Sequence, residues 1–575
     1  MSAPSLEPNL DAAARTGKWI GADRTMLVAA SAYIVIILLV WGMFAFSSGL
    51  PYETAFTYVS ETSSSLKGFF YEADPTRPNT STFYHVSYLL GELLAPGSFA
   101  PYQFVYAALA FARAFLLFLV LRKLLPDFTR LAFLAGALAL VHSSDGAMMW
   151  VGQMDQFGSI FWMLLAFYLF VAAVQNARVI AAASIMFLAV ACEYMSLWSY
   201  ESGLFIVLLM PAAVLPLVPN WRSRRVLVLS AAWYIMPILY AGQTLLKYMH
   251  SSGSTYQESI LRTDWSASSI ISDLGFNISA SLSFWDWGKN SGSAVPATQM
   301  TWLAFSAVVV FIGAALLTKA SKSEQEPRVG RGRILTVTVL LVAGLVWVAL
   351  SFPAFLLLNS ARGLWRTQFL SGPGAAVLFA AAATLVASAV PNRRGRHITA
   401  LCLAAVVVYA GAASVIQRGG YHRRIWETHR RAVAALLRAA PQVSPRTIIV
   451  LTGVPKAADP FGADMWFDMA LRLAYPGTPV SGEYFFDDGR PGPGNNLKLE
   501  NGRWHWDSTQ LPPLVGSGKL SQTVILAWGA GTDLLLERVP DFLCSPPCNA
   551  AEYAPRTRIP GASPSPRAVR RYGPL

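Results

Sequence analysis

The sequence predicts an all-α polytopic membrane protein carrying a small α/β domain at its C-terminal end. Three observations carry this. The chain has 575 residues, of which 54% are hydrophobic and only 13% charged. Apolar runs of about 20 residues, the length that crosses a hydrocarbon core, recur from Thr25 to Ile416. Beyond Ile416 polar text is broken by β-branched runs suited to strands. A membrane β-barrel would show short alternating segments instead.

Residues 1–24 are polar and contain Arg15, Lys18 and Arg24, which places the N-terminal segment in the cytoplasm. The first apolar run, Thr25–Phe46, is too long for a signal-peptide core and lacks a small-residue cleavage site, so it reads as a retained span. An outer loop, 47–101, opens with Leu50-Pro51-Tyr52-Glu53, carries Glu61, Glu72 and Asp74, and reaches Phe83-Tyr84-His85-Val86-Ser87-Tyr88. Phe83–Leu94 is apolar but short, and reads as an interfacial or re-entrant helix.

Spans follow at Phe104–Leu125, Leu131–Val141, Phe157–Val174, Val179–Met195, Leu204–Val218 and Val226–Leu246. A second outer loop, 247–300, is rich in Ser and Trp, and its Ile270–Phe284 portion is suited to lie along the surface. The remaining spans are Trp302–Leu317, Ile334–Leu358, Gly374–Val390 and Ile398–Ile416. The expected total for 25–416 is about 11 transmembrane helices.

Arg and Lys collect in alternate connectors, at Arg122-Lys123, Arg178, Arg222–Arg225, Lys319–Arg333 and Arg393–Arg396. That asymmetry gives a multi-pass protein of the plasma (inner) membrane, with its C-terminal domain extracytoplasmic. The net charge of +13 is therefore a topology signal and not a nucleic-acid patch.

Residues 417–555 form the expected extracytoplasmic domain, with helices at Tyr421–Ala440 and Asp464–Tyr475 and strands at Thr447–Leu451 and Thr523–Trp528. The Pro- and Arg-rich segment 556–575 has the composition of a disordered tail. Cys192 and Cys402 fall in apolar runs and read as buried small residues. Cys544-Ser545-Pro546-Pro547-Cys548 suits a small disulfide loop better than a metal site.

Candidate site residues are ionisable groups at the outer ends of spans. Asp145, Asp155, Glu193 and Glu201 lie in short loops with apolar text close on both sides, where a charge is costly unless it faces protein or water. Each is equally readable as a helix cap or a structural ion pair. Arg113 lies inside an apolar span and must find an acid or a watery cavity. Arg362 and Arg366 stand where a lipid phosphate lies, beside Trp365 and Phe369, and a guanidinium binds phosphate through two parallel hydrogen bonds. His142, His250, His422 and His429 show no metal-ligand spacing, and there is neither a Walker loop nor a Ser-His-Asp arrangement.

Read together, these segments resemble the GT-C superfamily of integral membrane glycosyltransferases. Within it the likeness is to bacterial relatives of the transmembrane O-mannosyltransferases that carry tetratricopeptide repeats. Leu50-Pro51-Tyr52-Glu53 stands where that family has a double acid after its first span, followed by Tyr84-His85-Val86-Ser87-Tyr88-Leu89-Leu90. His142-Ser143-Ser144-Asp145, Trp150 and Gly152-Gln153-Met154-Asp155 resemble its next signature, and Ser199-Tyr200-Glu201 its Ser-Lys-Glu element. Arg366-Thr367-Gln368-Phe369-Leu370 before Gly372-Pro373-Gly374 resembles its late Arg-Tyr-Leu-Tyr segment. The chain departs from the family in having one acid at Glu53, Gln153 for Arg, Tyr200 for Lys, and no tetratricopeptide repeats.

The resemblance implies transfer of a sugar from a polyprenyl-phosphate donor to a glycan or protein acceptor of the cell envelope, on the outer face. It implies Glu53 or Asp155 as catalytic base. Arg366, Arg362, Asp145, Glu201, His85 and Arg113 are the expected substrate-binding residues. No metal ligands are assigned, although such a reaction is compatible with a divalent ion. Two other readings stay open: a transporter or flippase of a lipid-linked or anionic solute, and a non-catalytic envelope scaffold. Paired repeats and helices broken at mid-membrane would mark the transporter. The charges gather instead at span ends, and no repeat is apparent.

Overall fold

The computed structural model describes residues 24–40, 93–94, 100–142, 144, 154–218, 221–249, 262, 265–283, 297–320, 331–357, 367–493, 496–500, 503–507, 517–529, 534–543, 550–561 and 563–573. Its helices are α1 (Arg24–Val40), α2 (Ala100–Leu124), α3 (Thr129–Ala139), α4 (Met154–Gln175), α5 (Val179–Leu197), α6 (Leu204–Val214), α7 (Arg224–Trp233) and α8 (Ile235–Met249). They continue with α9 (Ala267–Leu282), α10 (Ala297–Ala320), α11 (Arg331–Leu350), α12 (Gly372–Ser388) and α13 (Arg393–Ala439).

Among the described residues, six helices are long and apolar enough to cross a membrane: Tyr102–Leu124, Gln156–Gln175, Val179–Leu197, Arg224–Leu246, Ile334–Leu356 and Arg394–Ala439. Four shorter apolar helices accompany them, at Arg24–Val40, Leu204–Val214, Leu303–Leu317 and Gly372–Ser388. The finding is thus a membrane-type helical bundle with six full-length candidates, where the sequence suggested about 11 spans.

The middle of the bundle is α3. Every residue from Leu131 to Ala139 is buried, because the helix is apolar on all sides and packs against α1, α2, α10, α12 and α13. Its 11 residues reach about 16 Å, roughly half a hydrocarbon core. Tyr33 of α1 stacks on Phe133 at 5.5 Å and donates its hydroxyl hydrogen to the Phe133 carbonyl at 2.9 Å. On the other side Gly411 of α13 lies directly on the carbonyl of Val141, an approach that any Cβ would block.

α13 departs most from the expected organisation. It is one continuous helix of 47 residues, about 70 Å long. The boundary expected between a span ending at Ile416 and a separate helix from Tyr421 therefore falls inside a single element. Gly419 and Gly420 each cost only about 1 kcal/mol relative to Ala in a helix, which packing on both sides outweighs.

The soluble domain grows from the end of α13. β1 (Thr447–Val454) leads through α14 (Asp464–Ala474) to β2 (Val480–Phe486), which lies parallel to it. A second sheet, β3 (Asn496–Glu500), β4 (Arg503–Asp507) and β5 (Ser517–Lys519), precedes β6 (Thr523–Ala527) and the short β7 (Leu534–Leu535). The main sheet has the order β2-β1-β6-β7, with β6 parallel to β1 and β7 antiparallel. Phe467 and Leu471 of α14 cover one face with α13, while Trp504 of β4 packs on Ile448, Val450 and Ile525 of the other.

The segment expected to be disordered ends in a helix, α15 (Pro566–Tyr572), with Ala568, Arg571 and Tyr572 buried. Composition pointed to disorder there, but Tyr572 lies 6.2 Å from the Trp426 ring of α13, and that apolar shelf orders the segment. Cys402, expected buried, is exposed on α13, and Cys192 is buried. Cys544 and Cys548 lie outside the described residues.

Candidate functional site at the end of the central helix

Where α3 ends, stretches distant in sequence meet. The chain turns at Leu140 and Val141, and His142 follows, wholly buried. Its Nε2 lies 2.8 Å from the Ser281 carbonyl oxygen at the end of α9. A carbonyl only accepts, so Nε2 carries the hydrogen. Nδ1 is then the acceptor, taking the Ser144 hydroxyl hydrogen at 2.6 Å. The imidazole is held neutral, in one tautomer, at both nitrogens.

Ser371, just before α12, extends the network. Its hydroxyl lies 2.8 Å from both the Ser281 hydroxyl and the Gln368 carbonyl. A Cβ added at Gly372 would lie 3.4 Å from the His142 ring. The turn before Ser371 is pinned from two sides: Trp347 Nε1 of α11 donates to the Leu370 carbonyl at 2.9 Å, and Phe369 meets Phe157 of α4 at 4.4 Å, edge to face.

Two guanidiniums bear on the same place. Arg113, in α2 and 1% exposed, donates to the Ala139 carbonyl at the end of α3 and stands 5.2 Å from the centre of the Phe157 ring. The orphan carbonyls of a helix end accept such a donor, so backbone is one of the partners that Arg113 finds here. Arg418 is seven residues beyond Gly411, two turns along the same face of α13, and its charge acts on the His142 imidazole together with that of Arg113.

Of the residues singled out from sequence, the structure describes part. Glu53, His85, Asp145, Arg362 and Arg366 lie outside the described residues. The backbone of Asp155 is in the first turn of α4, two residues before Phe157, and Thr367 and Gln368, where the described turn before α12 begins, are both buried. The His142 turn, the start of α4 and the described turn 367–372 before α12 are therefore brought together: Phe157 touches Phe369, and a Cβ at Gly372 would touch His142. Glu201 opens a short turn whose Gly203 faces Met163, eight residues and about 12 Å along α4 from Asp155. That turn belongs to another level of the bundle. The side chains of Asp155 and Glu201 are outside the described set.

Sequence reasoning missed Ser281, Ser371 and Arg418. Ser281 sits in the second outer loop, where a serine among serines carries no signal. Arg418 is the first charge after the last apolar run and reads there as a linker residue. Among the described residues no group of three His, Cys, Asp or Glu is placed to hold a metal ion. No protein-family model matches the chain, and no curated protein matches it in sequence.

Proposed function

We propose that the chain is a GT-C-like membrane glycosyltransferase, moving a sugar from a polyprenyl-phosphate donor to a glycan or protein acceptor on the outer face of the membrane. In this reading the bundle has about 11 spans, a cytoplasmic N-terminal segment and an extracytoplasmic C-terminal domain. The observation that supports it is the meeting of the His142 turn, the start of α4 and the turn before α12 at one buried, polar place beside the Arg113 guanidinium. Those are the stretches on which the resemblance puts its functional residues, and the last is more than 200 residues from the other two in sequence.

The chemistry follows from the residue types. Asp155 or Glu53 takes the proton of the acceptor hydroxyl as its oxygen bonds to the sugar's anomeric carbon. The bond from that carbon to the phosphate oxygen breaks, and the lipid phosphate leaves with the electron pair. Arg366 and Arg362 stabilise the departing phosphate. His142 is not the base, since Nε2 carries the hydrogen given to Ser281 and Nδ1 is occupied by Ser144. It holds the turn that leads into Asp145.

The test is transfer from radiolabelled polyprenyl-phosphate sugars in membranes holding the wild type, Asp155→Asn, Glu53→Gln or Arg366→Ala. Loss of about 100-fold or more is expected for the acid that serves as base. Undiminished transfer in both acid variants would remove both as bases, and absence of any sugar transfer by the wild type would sink the reading.

A further inference from the structure

The soluble domain presents a second site to the bundle. α13 carries the chain outward to Ala439, and at that far end Tyr475 donates its hydroxyl hydrogen to the Ala440 carbonyl at 2.7 Å. β1 then runs back along α13, so that Pro460, six residues beyond its end, accepts from His429 Nδ1 at 3.1 Å. β2 and β6 are parallel to β1. The carboxyl edge of all three strands thus points back toward the helical bundle. His429, which marks its level, is 13 residues from Ile416, about 20 Å along the helix.

The strand order also reverses at β1. The chain leaves it for β2 on one side, with α14 on one face, and returns to β6 on the other side after Trp504 and its sheet have covered the opposite face. In open α/β sheets, ligands bind outside the carboxyl ends of the strands at such a reversal. The ends are tied across the gap: Trp528 N–H donates to the Thr452 carbonyl at 2.7 Å, and Asp487 N–H to the Val454 carbonyl at 3.0 Å. Gly453 has φ +77, and a Cβ there would come no nearer than 4.0 Å to the Trp528 side chain, which leaves the backbone beside the indole open.

We propose that this edge is the acceptor site, and that it binds a neutral, polyhydroxylated chain, a glycan, between Trp528, Asp487 and Lys456. The proposal rests on the glycosyltransferase reading and adds the acceptor's class and place. Trp528 is half-buried, packed against the core, and is an aromatic side chain at this edge able to stack on sugar C–H groups, while Asp487 and Lys456 are exposed and supply an acceptor and a donor for hydroxyls. Their charges cancel. The nearby Asp488 is paired with Arg490 at 2.6 Å, and Asp459 is filled by the N–H groups of Phe461 and Gly462 and by the Tyr484 hydroxyl. An anion finds no net attraction here, which favours a neutral glycan over a phosphate.

The experiment uses the full chain in detergent and saturation-transfer NMR with neutral hexasaccharides of glucose, mannose, galactose and arabinose, with inorganic phosphate as competitor. Binding of at least one hexasaccharide is expected, weakened tenfold or more in Trp528→Ala and in Asp487→Ala, and kept within threefold in Trp528→Phe. Binding of none of them, binding as strong as the wild type's in both alanine variants, or displacement by phosphate would each overturn the proposal. Asp155→Asn separates the two ideas. If transfer does not depend on the acids but glycan binding does depend on Trp528, the assignment of the base fails and this site stands; if the wild type transfers no sugar but still binds glycan through Trp528, the glycosyltransferase reading fails and the glycan site remains. The converse removes only this site.

Discussion

The chain buries two histidines completely, and they are opposites. His142 lies in a polar network, with both ring nitrogens engaged by Ser281 and Ser144 and two guanidinium charges acting on it. His429 lies among aromatic rings: Trp426 stacks at 5.4 Å, Phe461 meets it edge to face at 5.3 Å, and Tyr572 lies at 6.2 Å. Its Nδ1 donates to the Pro460 carbonyl, and Nε2 has no hydrogen-bond partner among the described residues. One ring joins the end of α3 to the end of α9 through polar bonds; the other fastens α13, the end of β1 and α15 into one body. Burial alone does not mark function: what separates the two is whether the surroundings are polar and charged or aromatic.

The sharpest way to break this contrast is to damage the aromatic box. Trp426→Ala should cost about 3–5 kcal/mol in the stability of the soluble domain, read by pulse proteolysis in urea. Sugar transfer per folded molecule would stay within a few-fold if the box is only a fastening.

Acid is the next test. Burial holds His429 down to about 4, against the ordinary 6.5, with the Pro460 hydrogen bond opposing the shift. The unfolded chain therefore binds a proton that the folded chain refuses. The stabilisation is complete above pH 6.5 and is lost as pH falls toward 4. Holding the imidazole at about 4 in place of 6.5 corresponds to about 3 kcal/mol. The stability of the soluble domain should fall over that window, and His429→Phe should flatten the fall. An unchanged pH profile in that variant would show that another group is responsible.

His142→Ala should lower transfer per folded molecule by about 100-fold, because it frees the turn that leads to Asp145 and a misplacement of about 1 Å has that effect. A loss confined to stability, with transfer intact, would make His142 a fastening like His429 and erase the contrast. The smallest effect belongs to Ser371→Ala, which removes one donor to Ser281 and Gln368 and should cost about 1 kcal/mol. Thermal unfolding in detergent measures it, and a cost above about 3 kcal/mol would show that the serine network is more cooperative than its separate bonds.

Much of the local structure is legible in the sequence. The apolar runs at Phe157–Val174, Val179–Met195 and Ile334–Leu358 form helices because their composition leaves the backbone no better partner than itself in lipid. Thr447–Leu451 and Thr523–Trp528 form strands, and Asp464–Tyr475 a helix, close to their expected limits. β2 was harder to read: Val480-Ser481-Gly482-Glu483-Tyr484 mixes small, charged and aromatic residues, and only burial between β1 and α14 makes it a strand. The candidate site was legible as stretches but not as partners. His142 stands out as text, whereas Ser281 and Ser371 are ordinary serines until the fold places them 2.8 Å apart.

The sequence by itself determined the membrane character, the helical class and the presence of a mixed domain at the end, because hydropathy and period are local properties that survive any arrangement of neighbours. Tertiary structure alone decided three things. It made α13 one rod through two glycines, because packing along the helix exceeds their cost. It ordered the Pro- and Arg-rich end as α15, because an aromatic shelf was waiting for Tyr572. It turned His142 toward Ser281, which Ser371 meets from the other side, since which polar groups meet inside a bundle depends on how helices cross, and no single stretch of chain encodes that.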